Sequence, residues 1–158
     1  MQVRPIEPDD RAYIAAQVTR HFTSTWIKSL GNEYQIDALD GFVAPIDDQP
    51  VGHVTVAPLK DDQIEIPTLV SESENAGVGS ALLNAAIEWA RHRGATRVFL
   101  TTSNDNLHAL AFYQKRGFEL VAIHRGAMDR MREIEPEIPK VAPNGIPIRD
   151  EIELELLL

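Results

Sequence analysis

Apolar residues recur along this chain with two different periods, and the change between them falls near residue 80. Val3 to Ile6 alternates as a short strand does, and Pro8-Asp9-Asp10 supplies a start for a helix running to Val18 or Arg20. Phe22 to Ala38 holds Trp26, a Leu30-Gly31-Asn32 turn and Tyr34, and fits a loop or a strand. Three strand-like runs follow: Gly41 to Ile46, Val51 to Leu59 and Gln63 to Val70. The turns between them, at Asp47-Asp48-Gln49-Pro50 and Asp61-Asp62, are short enough to make an antiparallel meander. Then Leu82, Leu83, Ala86, Ile87 and Ala90 recur at three- and four-residue spacing, so Ser80 to Arg93 is an amphipathic helix. Arg91, His92 and Arg93 suit its negative end, and Gly94 can close it in a left-handed conformation.

The second half repeats the alternation of types. Thr96 to Thr102 (TRVFLTT) is rich in β-branched and aromatic residues and reads as a buried strand. A helix follows over 105–116, stopping at Gly117, and then a strand over 118–123. Arg125 to Ile148 is polar and proline-rich, an excursion of little regular structure with room for a helical turn or two at 127–133. In Arg149 to Leu158 the residues Ile152, Leu154, Leu156 and Leu158 alternate with Glu151, Glu153 and Glu155, as in a strand with one wet face. Three antiparallel strands leading into a β-α-β unit imply an α/β (α+β) fold. Its mixed sheet has helices on its faces, and strands 63–70 and 96–102 run parallel around a right-handed crossover.

Composition narrows the functions. The 158 residues suit one domain, 1–158. A formal net charge of -9 argues against a general nucleic-acid partner, which needs a basic face to displace counterions. It is compatible with a cationic or amine ligand, though acidity commonly serves solubility. Without cysteine there is no thiolate nucleophile and no thiolate metal site, and the five histidines lack metal-ligand spacing, so no metal is expected. MQVRPIEPDD carries no signal-like apolar run, and no stretch approaches the ~20 apolar residues of a membrane span, so a soluble, cytoplasmic protein is the expectation.

Candidate chemistry begins at Ser73 to Leu83, SENAGVGSALL. Glycines ahead of a helix N-terminus let an anion approach unpaired backbone N–H groups, so 75–80 is a candidate phosphate cradle. The same residues also fit a tight strand-to-helix turn. They do not fit a Walker loop, because Gly79 is followed by Ser80-Ala81, nor a dinucleotide loop, whose third glycine would stand where Leu82 is.

Downstream stands Asn106-Leu107-His108-Ala109-Leu110-Ala111-Phe112-Tyr113-Gln114-Lys115-Arg116-Gly117-Phe118. With GVGSALL and TRVFLTT, it closely resembles the GNAT superfamily of N-acetyltransferases. That family carries R/Q-x-x-G-x-G/A before its central helix and N-x-x-A-x-x-F-Y-x-x-x-G-F on the next. The second pattern is matched in full, and the order of elements agrees over nearly the whole chain. In the first, Glu74 stands where the family has Arg or Gln, which leaves anion binding to backbone N–H groups. The tail Asn144 to Ile152 looks like that of a bacterial subgroup.

The resemblance implies a central sheet of about seven strands with about four helices, and acetyl-coenzyme A as cofactor. Its pyrophosphate would lie on Asn75, Ala76, Gly77, Val78, Gly79 and Ser80. Its pantetheine arm would lie along Leu69 and Val70, with Asn106 bonded to it. The family's strand is bulged here, and Pro67, which cannot donate to a ladder, suits a bulge or an ordinary edge. Tyr113 matches the family's general acid, its phenol with a reference pKa near ~10 remaining protonated at neutral pH. Glu65 lies where members often place a base, although Ile64-Glu65-Ile66 also reads as an alternating strand with Glu65 in solvent. Glu72 is the next choice of base. Trp26, Tyr34 and Phe42 line an acceptor pocket or pack a core, and the basic residues His124, Arg125, Arg130 and Arg132 form a solvated excursion or meet an anion.

These residues imply an enzyme that transfers acetyl from acetyl-coenzyme A to a primary amine of a small molecule or peptide. The alternative is an acyl-coenzyme A-binding sensor without turnover. A homodimer would form if Ile152 to Leu158 paired at a sheet edge.

Overall fold

The structure, a computed structural model, describes residues 1–73 and 76–158. Among them are ten strands and four α-helices, and the chain divides into Met1–Val98 with Leu158, and Phe99–Leu157.

In the first unit, β1 (Arg4–Pro5) leads into a 3-10 turn at Pro8–Asp10 and helix α1 (Arg11–Phe22). The Arg4 guanidinium grips both oxygens of Asp10 at 2.7 and 2.9 Å, and the Glu7 N–H adds a third bond at 2.8 Å. These donors, the Arg4 bond foremost, hold the Asp10 carboxyl below the usual carboxylate range. The stretch that fitted either loop or strand is a two-stranded hairpin, β2 (Trp26–Ser29) and β3 (Asn32–Gln35), followed by a 3-10 turn at Ile36–Ala38. Leu30 and Gly31 both have positive φ, 48° and 83°, as a tight hairpin turn requires.

The meander forms as expected. Strand β4 (Asp40–Ile46) pairs antiparallel with β5 (Gln49–Pro58), and β1 pairs with β4. The third run is broken in two, β6 (Gln63–Glu65) and β7 (Leu69–Ser71), both antiparallel to β5. Ile66, Pro67 and Thr68 lie between them, and Pro67 is where the ladder lacks a donor. Side chains seal the gap. The Thr55 N–H reaches the Thr68 carbonyl at 3.0 Å, the Thr68 N–H reaches Thr55 Oγ1 at 3.2 Å, and the two hydroxyls are 2.7 Å apart. Helix α2 (Val78–His92) covers this sheet through Val78, Leu82, Leu83, Ala86, Ile87 and Ala90. A second apolar cluster joins Ile14 and Val18 of α1 to Tyr34, Ile36, Val43 and Ala57.

Strand β8 (Arg97–Ser103) begins at the end of the first unit and runs into the second. Its approach lies beside β6, with the Thr96 N–H on the Asp62 carbonyl at 2.9 Å and Arg97 Nη1 on Gln63 Oε1 at 2.8 Å. The second unit adds α3 (Leu107–Gln114), β9 (Glu119–His124), α4 (Ala127–Ile134) and β10 (Glu151–Leu157). The mixed α/β class expected from the order of elements holds.

Two expectations for this half need correction. Strand β10 lies between β8 and β9, so Ile152 to Leu158 offers no free edge for dimer pairing; the outer position belongs to β9. Nor is the glutamate face of β10 wet. Glu151 and Glu153 are buried, His124 Nε2 lies 3.0 Å from Glu153 Oε1, and the register steps over Val121 between Glu153 and Leu154. A register step of one residue exchanges the two faces, which defeats a simple alternation. The excursion has little regular structure beyond α4, as expected, yet it is tied down by side chains. Arg132 donates to the carbonyls of Ile138, Pro139 and Ile148 at 3.0, 2.9 and 2.7 Å and pairs with Asp129 at 2.8 Å. Asn104 Oδ1 accepts from the N–H groups of Arg149 and Asp150, both at 3.0 Å.

Candidate active site

In the first unit the site is built where β5, β7 and α2 converge. Leu69 pairs with Val54 and Val70 with His53, and β5 is the only strand in the ladder of β7 among the described residues. Gly52 permits this convergence. A Cβ there would stand 2.8 Å from the Val70 carbonyl oxygen and 2.8 Å from Val78 Cγ1, so any larger residue would push β7 or the start of α2 away. Gly77 precedes α2 with φ 75°, and a Cβ on it would meet nothing within 4 Å among the described residues. The first bond within the helix is from the Ala81 N–H to the Gly77 carbonyl, 3.0 Å. The N–H groups of Val78 and Gly79 therefore point out of the helix end, where the dipole is positive. No acidic residue stands in that first turn. Open space, outward N–H groups and positive potential suit a diphosphate. Val78 itself is buried and anchors the turn. Asn75, like Glu74, lies outside the described residues.

Glu65, expected as base or as a solvent-facing strand residue, is neither exposed nor loosely held. It is 1% exposed at the end of β6, with Ile64 and Ile66 buried on either side. The Tyr34 hydroxyl donates to Glu65 Oε2 at 2.5 Å, and the Ser29 hydroxyl donates to Oε1. Desolvation, then the bond to Glu65 and its charge, raise the Tyr34 phenol far above its ordinary pKa. Glu72 is exposed and tied to α1, accepting from Gln17 Nε2 at 2.6 Å and from the Tyr13 hydroxyl at 3.4 Å. Of the three aromatic residues expected near an acceptor, Tyr34 is in the core, Phe42 is half-buried, and Trp26 is 57% exposed on the outer face of the hairpin.

In the second unit α3 carries Asn106 and Tyr113. Asn106 is the N-cap, its Oδ1 accepting from the Ala109 N–H at 3.1 Å. Tyr113 is 8% exposed, with its ring edge-on to Phe112 and Phe118 at 5.1 and 5.5 Å. Burial pushes its phenol well above the ordinary value, against a smaller opposing effect of Arg116. The hydroxyl therefore keeps its proton through the physiological range.

Sequence reasoning missed the hydroxyls of Ser29 and Tyr34 on Glu65, and the buried His53-Thr68-Thr55 chain. No short motif marks either, because each joins residues from strands far apart in sequence. The alternation in WIKS and NEYQ around Leu30-Gly31 is the one signal that could have found the hairpin. Among the described residues no cluster of His, Asp and Glu is arranged to hold a metal, and no helix is long and apolar enough to cross a membrane.

Comparison with known proteins agrees with this geometry. The profile of the Acetyltransferase (GNAT) family matches residues 10–118. The uncharacterized protein YxbD of Bacillus subtilis is 40% identical over 96% of both chains. The uncharacterized N-acetyltransferase YvbK of the same organism is 30% identical over 82% of this chain and 81% of its own. Among solved structures, a Bacillus subtilis acetyltransferase in complex with CoA superposes with a TM-score of 0.74 at 22% identity, covering 99% of this chain and 98% of that one. From glycine turn, broken strand and tyrosine helix to these relatives, the findings converge: the chain belongs to the GNAT acetyltransferase family.

Proposed function

We propose that this chain transfers an acetyl group from acetyl-coenzyme A to a primary amine of a small molecule or peptide. The observation that carries the reading is the arrangement of β7 and α2. Among the described residues, a three-residue strand laddered on β5 alone precedes a helix start with open space at Gly77 and no acidic residue in its first turn. The N–H groups of 76–80 would hold the diphosphate, and the main chain of Leu69 and Val70 would pair with the amide-bearing arm. The cofactor supplies an acetyl group activated as a thioester.

The protein's own residues supply proton management. An ammonium must lose a proton before its nitrogen can attack, and Glu65 is the acceptor we assign. The sulfur that leaves needs a proton, and Tyr113 holds one at its hydroxyl. Its ring packs edge-on against Phe112 and Phe118, and burial keeps the proton on its hydroxyl at neutral pH.

Two measurements test this. Acetyl-coenzyme A at one hundred times its Kd should stabilise the chain by about 2.7 kcal/mol, read as a rise in Tm. Ser80→Asp should shrink that rise by placing negative charge at the helix mouth. Thiol release with a panel of amino acids, polyamines, aminoglycosides and peptides should reveal an acceptor. Tyr113→Phe should then lower kcat roughly a hundredfold or more, in the range of a lost general acid, while the Tm rise persists. A Tm that acetyl-coenzyme A does not move would defeat the reading. Tm rise without turnover would instead favour a sensor.

A further inference from the structure

Glu65 is almost wholly buried, yet the reading above asks it to take a proton from an acceptor. Its two oxygens are each bonded by a hydroxyl, Ser29 on Oε1 and Tyr34 on Oε2. Both hydroxyls come from one face of the β2–β3 hairpin. Ile27 pairs with Tyr34 and Ser29 with Asn32, so Ser29 and Tyr34 are diagonal neighbours on the inward side. On the outward side Lys28 and Glu33 form an exposed ion pair at 3.1 Å. Ser29 is 4% exposed and Tyr34 is 7% exposed, so the three groups form one buried polar cluster set into the apolar packing of α1, β4 and β5.

A purely apolar hairpin would cover β6 at lower cost, because a buried carboxylate is tolerated only when its lone pairs are satisfied. The cluster makes sense if the carboxylate must be present and ionised there. A hydroxyl bonded to a carboxylate can also pass protons: it receives one on oxygen as it gives up its own.

We propose that the hairpin is part of the proton-accepting apparatus, with the Ser29 and Tyr34 hydroxyls fixing Glu65 and the Tyr34 hydroxyl relaying the acceptor's proton to it. The inference rests on the assignment of Glu65 as base. In the relay, a proton leaves the acceptor ammonium for the Tyr34 oxygen while the Tyr34 hydroxyl proton moves to Glu65 Oε2. The amine is left neutral and Glu65 becomes a carboxylic acid, with no net change at Tyr34. Ser29 does not carry the proton; it holds Oε1 so that Oε2 faces Tyr34. The titratable group bonded to Glu65 from the hairpin is Tyr34. From β5 the residue paired with Glu65 is Ala57, and the Arg97 guanidinium at the start of β8 bonds Gln63, two positions away.

The test is the pH dependence of kcat/KM for the best amine of the panel, measured for the full chain and for Glu65→Gln, Tyr34→Phe, Ser29→Ala and Ser29→Thr. The relay is needed only while the amine is protonated. The Tyr34→Phe deficit should therefore be about tenfold or more near neutral pH and should close as the pH rises toward the pKa of the amine. Ser29→Ala should behave alike but more weakly, and Ser29→Thr, which keeps a hydroxyl, should restore activity. KM for acetyl-coenzyme A should be unchanged in all four. A deficit that stays constant with pH, accompanied by a lower Tm, would show that the cluster only pins the hairpin and would overturn the proposal. A pH-dependent deficit in Glu65→Gln with none in Tyr34→Phe would remove the relay but keep the base. No pH-dependent deficit in Glu65→Gln would remove the base, and the relay with it. Absence of turnover across the panel would overturn both.

Discussion

The imidazole of His53 sits on β5 with Nε2 3.2 Å from the Thr68 hydroxyl and Nδ1 buried without a partner among the described residues. Burial, and secondarily the nearby His21, lower its pKa to about 4. An unfolded histidine titrates near ~6.5, so between those values the unfolded chain binds a proton that the folded chain refuses. Stability contributed by neutral His53 is thus complete above about pH 6.5, declines as the pH falls through the window, and is gone below about 4. The loss across the window is about 3 kcal/mol at most. Urea denaturation at pH 7 and pH 5 should show a smaller difference for His53→Gln than for the parent. Burial raises the phenols of Tyr13, Tyr34 and Tyr113 alike, but carboxylates add to the effect only at Tyr13 and Tyr34. At Tyr113 desolvation holds the proton against a smaller opposing effect of Arg116.

At the scale of elements, Gly52 decides how closely β7 and α2 can gather on β5. Gly52→Ala would place a methyl 2.8 Å from both the Val70 carbonyl and Val78 Cγ1. It should cost about 1–3 kcal/mol, as overpacking does, and should weaken acetyl-coenzyme A binding if the start of α2 holds the diphosphate as proposed. Parallel Tm and ligand-titration measurements would separate the two effects. Elements with strong periodicity were legible without coordinates: α2, the β4–β5 pair and β8 fall within three residues of their expected limits. The β2–β3 hairpin was not, because Leu30 occupies a left-handed position that turn chemistry reserves for Gly, Asn or Asp. The break at Pro67 was half legible. Proline announces a fault in a strand, but the Thr55 and Thr68 contacts that repair it are a matter of register. For the candidate site, motifs pointed to Gly77, Asn106 and Tyr113, and the structure places Gly77 ahead of α2, Asn106 at the N-cap of α3 and Tyr113 within α3. The burial of Glu65 was hidden, since Ile-Glu-Ile reads as a half-wet strand whether or not a distant hairpin lies over it.

For the molecule as a whole, the family profile spans residues 10–118, whereas the polar segment after His124 lies beyond it. That segment has an eight-residue helix and otherwise little regular structure, yet its carbonyls converge on one guanidinium. Hydrogen exchange should find the N–H groups of Ala142 and Ile148, bonded to Ile146 and Lys140 at 2.9 Å each, more protected than their loop setting suggests. Arg132→Ala should abolish that protection while leaving the first unit unchanged.

The same guanidinium bears on how the protein survives among proteases. By sequence Arg132 is an obvious tryptic site in a polar segment, but it stands in α4, its side chain is only 12% exposed and every arm of it is occupied. An enzyme that must draw an arginine into its own specificity pocket would first have to strip away three carbonyls and a carboxylate. The bond after Arg132 should therefore be cut far more slowly than those after the exposed Arg130 and Lys140 of the same segment.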